Sequence, residues 1–168
     1  MSNQSNKIKI VLADLAHTFS VHTTALTVPL NVAYIKAYLV THHPDIEVEL
    51  FKDAERLLKY VHSTRPSIVG FSHYGWNENL NRSVGNHIRS YIPEILIVAG
   101  GPNLDPDIAI RREYMQRHNY VDYFIVDNAE APFSEFLHWW KNDKRHKSTL
   151  PNNLSWIENG AIFNTETQ

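Results

Sequence analysis

The 168-residue chain contains no cysteine. Its side chains therefore cannot form a disulfide, a thiolate metal site, a cysteine nucleophile or a thiolate-held iron–sulfur cluster. No apolar run approaches the roughly 20 residues that cross a bilayer, and residues 1–6 are polar and lack the apolar core of a signal peptide. We therefore expect a cytoplasmic protein whose residues 1–6 are disordered.

A strong charge of either sign is also lacking. Lys and Arg number 16 and Asp and Glu number 18, which leaves a net charge of −2. This balance gives no electrostatic reason to expect nucleic acid or an anionic membrane as a partner. No G-x-G-x-x-G motif follows the first apolar strand-like segment, which argues against a dinucleotide site. The ten histidines show none of the i, i+4 pairing that is typical of a helical zinc site.

The chain alternates strand-like and helix-like segments five times, which predicts parallel strands joined by right-handed crossovers. Asp53 and Asp105 precede two of the helix-like segments and are expected to cap them. The strand-like segments lie at 7–14, 46–51, 67–72, 95–99 and 121–126. We therefore predict an α/β, flavodoxin-like (Rossmann-like) fold with a five-stranded parallel sheet in the order 2-1-3-4-5.

The end of the chain departs from this alternation. After a charged stretch, Leu154–Ile157 and Ala161–Phe163 are short apolar runs on either side of Asn159-Gly160. An Asn-Gly pair between apolar runs predicts a β-hairpin. We accordingly divide the chain into an α/β domain at 7–143 and, at 144–168, a linker and hairpin that lead toward a further domain.

Two of the predicted strands end in small or polar residues, and both ends meet the same edge of a parallel sheet. An edge without large side chains leaves room for a ligand to lie across it. The candidate binding residues at these two strand ends are Ser72, His73, Tyr74, Gly75, Gly100, Gly101, Pro102 and Asn103.

Flavodoxin-like domains bind several ligands, each of which needs different residues. A flavin phosphate loop is rich in Ser, Thr and Gly, but the loop at 15–27 has Ser and Thr residues and no Gly. A phosphoacceptor domain needs an Asp after strand 3 and a Lys after strand 5, where this chain has Ser72-His73 and Asp127-Asn128. A corrinoid remains, because its nucleotide tail needs a slot at the sheet edge and its flat ring needs a bare platform.

Several segments resemble the N-terminal cobalamin-binding domains of cobalamin-dependent radical S-adenosylmethionine enzymes. They are Val28–Ile35, Pro66–Ser72, Val98–Pro102 and Val121–Val126 before an acidic loop. The resemblance implies a cobalamin cofactor whose cobalt is presented for methyl transfer or electron transfer. It also implies that S-adenosylmethionine and the iron–sulfur cluster belong to a missing barrel domain, in cis or in trans, and that this chain is not catalytic alone.

The resemblance also assigns roles to individual residues. Ser72 would hydrogen-bond the nucleotide tail or make room for it, and Gly100 and Gly101 would let the backbone approach it closely. The family usually shows Gly-Glu-Gly-Glu where this chain has Asp127-Asn128-Ala129-Glu130. By this position, Asn128, Ala129 and Glu130 are further candidate binding residues. Of that motif only the last Glu is kept.

No protein ligand to cobalt is assigned. The Asp-x-His-x-x-Gly motif of other cobalamin domains is absent, since Asp14-Leu15-Ala16-His17 has one residue too many and no following Gly. His17 is therefore not taken as a ligand. His73 follows strand 3 directly, and it is either a pocket residue or weak cobalt ligand, or an ordinary loop histidine.

Two other functions stay open from the sequence. The same crevice suits a sensor or carrier of another small molecule, and a degenerate domain would serve as an interaction scaffold without a ligand. The departure at 127–130 favours these alternatives, whereas the intact Gly100-Gly101 edge opposes the scaffold. The colour of the purified protein distinguishes a bound corrinoid from both.

Overall fold

The computed structural model describes residues 7–16, 29–143 and 146–165, and the prediction of disorder at 1–6 falls outside them. The strands are β1 (Ile8–Ala13), β2 (Ile46–Phe51), β3 (Ile68–Ser72), β4 (Leu96–Gly100), β5 (Tyr123–Ile125), β6 (Leu154–Glu158) and β7 (Ala161–Asn164). The helices are α1 (Leu30–His42), α2 (Ala54–Thr64), α3 (Glu78–Tyr91), α4 (Ile108–Arg117) and α5 (Glu130–Asn142), with a short 3-10 helix at Lys147–Thr149.

The described strands form one sheet in the order β2-β1-β3-β4-β5-β6-β7. The first five are parallel in the predicted order, so the fold class is confirmed. The predicted count of five strands is wrong, because β6 pairs antiparallel with β5 and β7 then pairs with β6. The hairpin therefore covers the edge that the three-residue β5 would otherwise expose.

The hairpin itself and its turn are confirmed. Glu158 pairs with Ala161, so Asn159 and Gly160 form the two-residue connection. Their φ angles are +51° and +77°, as a type I′ turn requires at both positions.

The two capping predictions had different outcomes. The Asp53 side chain accepts a hydrogen bond from the Arg56 N–H at 2.8 Å, which confirms it as the cap of α2. The prediction that Asp105 caps α4 is wrong, because Asp107 caps this helix by accepting hydrogen bonds from the Ala109 and Ile110 N–H groups. The Asp105 side chain instead accepts from the Asp107 N–H, a local turn that precedes the cap.

Helices cover both faces of the sheet and so bury it. On one face, α1 and α5 contribute Val32, Leu39, Phe133, Phe136 and Leu137 to an apolar core. On the other, α2, α3 and α4 contribute Leu57, Val61, Val84, Ile88, Tyr114 and Met115. All five residues of β3 are buried, which agrees with its nearly continuous apolar sequence. In the described part of the chain, no helix is both long and apolar enough to span a membrane.

Candidate functional site

A cavity of about 530 Å³ opens at the carboxyl edge of the sheet, on the face covered by α1 and α5. It is bounded by the ends of β3, β4 and β5 and by the first turns of α1 and α5. Its position is the one at which open α/β sheets bind ligands, outside the carboxyl ends of the strands. The candidate residues that line it are Ser72, Tyr74, Gly100, Gly101, Pro102, Asn128, Ala129 and Glu130.

Three other candidate residues, His73, Gly75 and Asn103, do not line the cavity. A β-carbon on Gly75 would have no neighbour within 4 Å, so this glycine lies at an open position. The Asn103 amide approaches the Tyr114 hydroxyl at 3.4 Å. A place in the cavity wall does not by itself show ligand contact, so the binding roles of these residues stay predictions.

Two glycines lie at the end of β4, beside the cavity. A β-carbon on Gly100 would make ordinary contacts, at 3.5 Å to the Ile125 carbonyl oxygen and 3.8 Å to its β-carbon, so the packing of the chain does not require glycine there. At position 101, glycine is required by the packing of the chain itself. Its φ is +133°, and a β-carbon there would overlap the carbonyl oxygen of His73. The packing of the chain therefore already requires glycine at 101.

Asn31 was not among the predicted residues, yet it lies on the polar wall of the cavity. This residue is in the first turn of α1, and its Nδ2 lies 2.7 Å from Ser72 Oγ and 3.2 Å from Tyr74 Oη. Asp14, at the end of β1, also hydrogen-bonds Asn31, and burial raises the pKa of its carboxyl despite the opposing effects of Lys52 and Asn31. The Asn31 amide thus links the end of β1, the end of β3 and the loop that follows β3.

Two buried asparagines hold the loop after β3 in place. The Asn77 and Asn81 side chains both donate to the Ser72 carbonyl oxygen, at 3.0 and 2.9 Å. The Tyr74 N–H donates to Asn77 Oδ1 at 2.9 Å. The Tyr74 ring stacks on Trp76, with ring centroids 4.4 Å apart, and Trp76 is 67% exposed. The cavity therefore has a fixed rim that carries an exposed aromatic surface.

The acidic loop after β5 keeps a backbone conformation that suits glycine. Asp127 has a φ of +62°, in the left-handed region where glycine is most common and Asp or Asn is tolerated. The first of the two positions where glycine is replaced therefore has a conformation that glycine would also adopt. With Glu130 it supplies the charged side chains among the described lining residues, and both are acidic.

His73 points to the opposite face of the sheet. Its ring is 1% exposed, and its two nitrogens lie 2.7 Å from the Tyr114 hydroxyl and 2.9 Å from the Tyr120 hydroxyl. The backbone N–H of His73 donates to the Gly100 carbonyl oxygen at 2.7 Å. His73 thus joins the ends of β3 and β4 to α4 and to the turn before β5. We expect it to support the site without contacting the ligand.

His73 is expected to make folding less stable in mild acid. Burial, with a smaller effect of His118, lowers its pKa from 6.5 to about 3, so the unfolded chain takes up a proton that the folded protein excludes. This contribution is fully present above pH 6.5 and is lost as the pH falls toward 3. Between pH 7 and pH 5 the loss is about 2 kcal/mol.

Urea unfolding at these two pH values measures the effect in the wild type and in His73→Gln. We expect the variant to lose about 2 kcal/mol less than the wild type. The pKa of His118 is also lowered, mainly by burial, but that residue is present in both proteins and cancels in the comparison. An equal loss in the two proteins would assign the titration to another group.

His17 lies outside the described residues, so its position relative to the cavity is not described. Within the described ranges no group of three or more His, Asp or Glu side chains is placed to hold a metal ion.

Gly70 and Val98 are among the other cavity residues that the sequence reasoning did not name as candidates. Gly70 lies on the cavity wall between Leu12 and Phe133, and Val98 lies on the neighbouring strand. The signal for Gly70 was present, because a glycine inside an apolar strand often marks close approach of a ligand or another backbone.

Together the fold and the cavity define an α/β domain whose ligand would bind at the carboxyl edge of a parallel sheet. No family model matches the chain. The structure of the cobalamin-dependent S-adenosylmethionine radical enzyme OxsB, with aqua-cobalamin and S-adenosylmethionine bound, aligns with 98% of this chain at a TM-score of 0.75 and 15% identity. That alignment covers 23% of OxsB. The resemblance inferred from the sequence is confirmed at the level of the fold.

Two curated relatives match parts of the chain. The chain is 34% identical over 74 residues, 44% of its length, to the 2-(S-pantetheinyl)-carbapenam-3-carboxylate methyltransferase of Streptantibioticus cattleyicolor. It is 29% identical over 86 residues, 51% of its length, to the cobalamin-dependent radical SAM methyltransferase TokK of Streptomyces tokunonensis. The matched segments make up 10% and 12% of these relatives, so the chain corresponds to a small part of each.

Proposed function

We propose that this chain is a cobalamin-binding module of a radical S-adenosylmethionine enzyme. The observation that carries the proposal is the cavity at the carboxyl edge, in a fold shared along 98% of the chain with an enzyme whose structure holds aqua-cobalamin. In this proposal the protein supplies binding and orientation, and the cofactor supplies methyl transfer or electron transfer at cobalt.

The residues present fit this cofactor. Gly70 and Gly100 both line the cavity and bring no side chain into it, at the end of the cavity where a nucleotide tail would enter. Tyr74 lines the cavity and stacks on the exposed Trp76, and a flat macrocycle would rest against this pair. The described lining contains no Lys or Arg, which suits a largely amide-bearing ligand better than a nucleotide with several phosphates.

The rest of the proposed enzyme would lie elsewhere. The chain has no cysteine for an iron–sulfur cluster, so the radical chemistry would belong to a barrel domain in cis or in trans. We place the cobalamin-binding part at residues 7–143 and the connection toward that domain at 144–168, and we expect the cytoplasm as its location. Nothing in the charge balance favours a nucleic-acid partner.

The alternatives, a carrier of another small molecule or a scaffold without a ligand, receive less support. Asp127 has a left-handed backbone conformation that glycine adopts readily, which supports a glycine-like loop at the position where the sequence departs from the family. The cavity that Gly100 lines also has no structural use in a scaffold.

The test is retention of corrinoid by the purified chain. The protein is mixed with hydroxocobalamin, desalted and measured by visible absorption, with flavin mononucleotide as a parallel probe. We expect a corrinoid band near one equivalent and no retained flavin. Retention of flavin instead would support the carrier, and a colourless protein that is folded by circular dichroism would reject binding by this chain alone.

A further inference from the structure

Asn31 is placed to control the direction of the hydrogen bonds in the cavity. Its Nδ2 contacts Ser72 Oγ at 2.7 Å and Tyr74 Oη at 3.2 Å. An amide nitrogen donates hydrogen bonds and does not accept them, so in both contacts the hydroxyl oxygen is the acceptor. The two N–H protons are shared among Ser72, Tyr74 and the Asp14 carboxyl, and the contact to Ser72 is the shorter of the two hydroxyl contacts. Each hydroxyl therefore keeps its own proton for a different partner.

For Ser72 that partner lies in the cavity. The residue is 9% exposed and lines the cavity, so the cavity is the space into which its proton can point. Its carbonyl oxygen already accepts from Asn77 and Asn81, which fixes the backbone that carries the hydroxyl. A buried hydroxyl whose oxygen is occupied presents a donor to whatever fills the space in front of it.

We propose that Asn31 is a positioning residue that makes Ser72 a hydrogen-bond donor to an acceptor atom of the ligand part bound in the slot. The inference rests on the proposed function and deepens it. In cobalamin the nucleotide tail carries such acceptors in its phosphodiester, ribose and base. Cobinamide, which keeps the corrin ring and its amides, lacks them.

The depth of Ser72 assigns it to the tail rather than to the ring. Ser72 lies two residues after Gly70 on β3, and both line the same cavity between α1 and α5. Trp76, at the rim, is 67% exposed and offers the flat surface that a ring would cover. The ring amides would therefore lie at the rim, and the acceptor that meets Ser72 would belong to the tail.

The test reverses the hydrogen bond with little change of shape. In Asn31→Asp the carboxylate accepts the proton of Ser72, which is then lost to the ligand. In Asn31→Ala the hydroxyl is unpaired but still able to donate. We expect the Kd for cobalamin to rise about tenfold in Asn31→Asp and about threefold in Asn31→Ala, while the Kd for cobinamide changes less than about twofold.

Controls separate this role from a structural one. Asn86→Asp makes the same chemical change at an exposed position of α3 and is expected to bind both corrinoids like the wild type. If Asn31→Asp acted instead by repulsion between the new Asp and Asp14, Tm would fall and the binding of both corrinoids would weaken equally. Equal weakening, or Asn31→Ala as the weaker binder, would overturn the proposal in favour of a structural role.

The remaining outcomes keep the two proposals distinguishable. If wild type binds cobalamin and Asn31→Asp binds it equally well, the positioning role is wrong and the cobalamin module stands. If the folded wild type binds neither corrinoid, the proposed function fails first.

Discussion

Replacement of Gly100 by valine is expected to abolish retention of cobalamin. The residue ends β4 on the cavity side, where a β-carbon meets ordinary contacts of 3.5 Å and 3.8 Å to Ile125. Valine suits a strand, so the backbone tolerates it, but its methyl groups would occupy the slot. An overlap that costs about 2.7 kcal/mol raises the Kd about 100-fold.

Gly75→Val is the matched control. Its β-carbon has no neighbour within 4 Å, and Gly75 does not line the cavity, so cobalamin should bind as in the wild type. Titration by visible absorption gives the Kd, and thermal unfolding checks that both variants are folded. Unimpaired binding by a folded Gly100→Val would exclude this cavity as the cobalamin site. A valine at 101 would not be informative, because its β-carbon would overlap the His73 carbonyl oxygen.

The parallel part of the fold was predictable because its signals are local. The strands are short apolar or alternating runs, and the structure places β2 at Ile46–Phe51, as predicted, and β3 within one residue of its predicted start. The addition of β6 to the same sheet was not predictable in this way. It depends on the pairing of Phe124 with Ser155 and of Ile125 with Leu154, and no periodicity within either segment reports such a long-range contact.

The direction of His73 could have been inferred from strand geometry. Successive residues of a strand point to opposite faces, so a residue directly after Ser72 tends to face away from the cavity that Ser72 lines. The same alternation places Gly70 on the cavity side. Position along the chain showed that His73 was near the edge, but the alternation decides which face it meets.

Asn31 could not have been found from its own surroundings. It lies 41 positions from Ser72, and although the segment Val28–Ile35 resembles the family, nothing in that segment indicates a contact with Ser72. The link exists only because α1 begins at the same sheet edge at which β3 ends. The residues that a cavity acquires from neighbouring elements are therefore the ones that sequence reasoning misses.

Gly85→Leu is expected to cause the largest loss of stability. Gly85 lies on the buried face of α3, and a β-carbon there would overlap the ring of Tyr120, which is 1% exposed and whose hydroxyl bonds His73. Because this ring is held at both ends, it has little room to move. We expect a loss of about 4 kcal/mol, above the usual cost of overpacking.

Ser83→Leu, on the exposed face of the same helix, is the control and should change stability by less than about 0.5 kcal/mol. Urea unfolding measures both variants, and Tm should fall by about 12 °C in Gly85→Leu. On helix propensity alone, leucine would stabilise α3 by nearly 1 kcal/mol relative to glycine. The sign of the stability change therefore decides between steric overlap with Tyr120 and helix propensity. A more stable Gly85→Leu would mean that the Tyr120 ring moves aside, and hence that its hydrogen bond does not hold His73 firmly beneath the carboxyl edge.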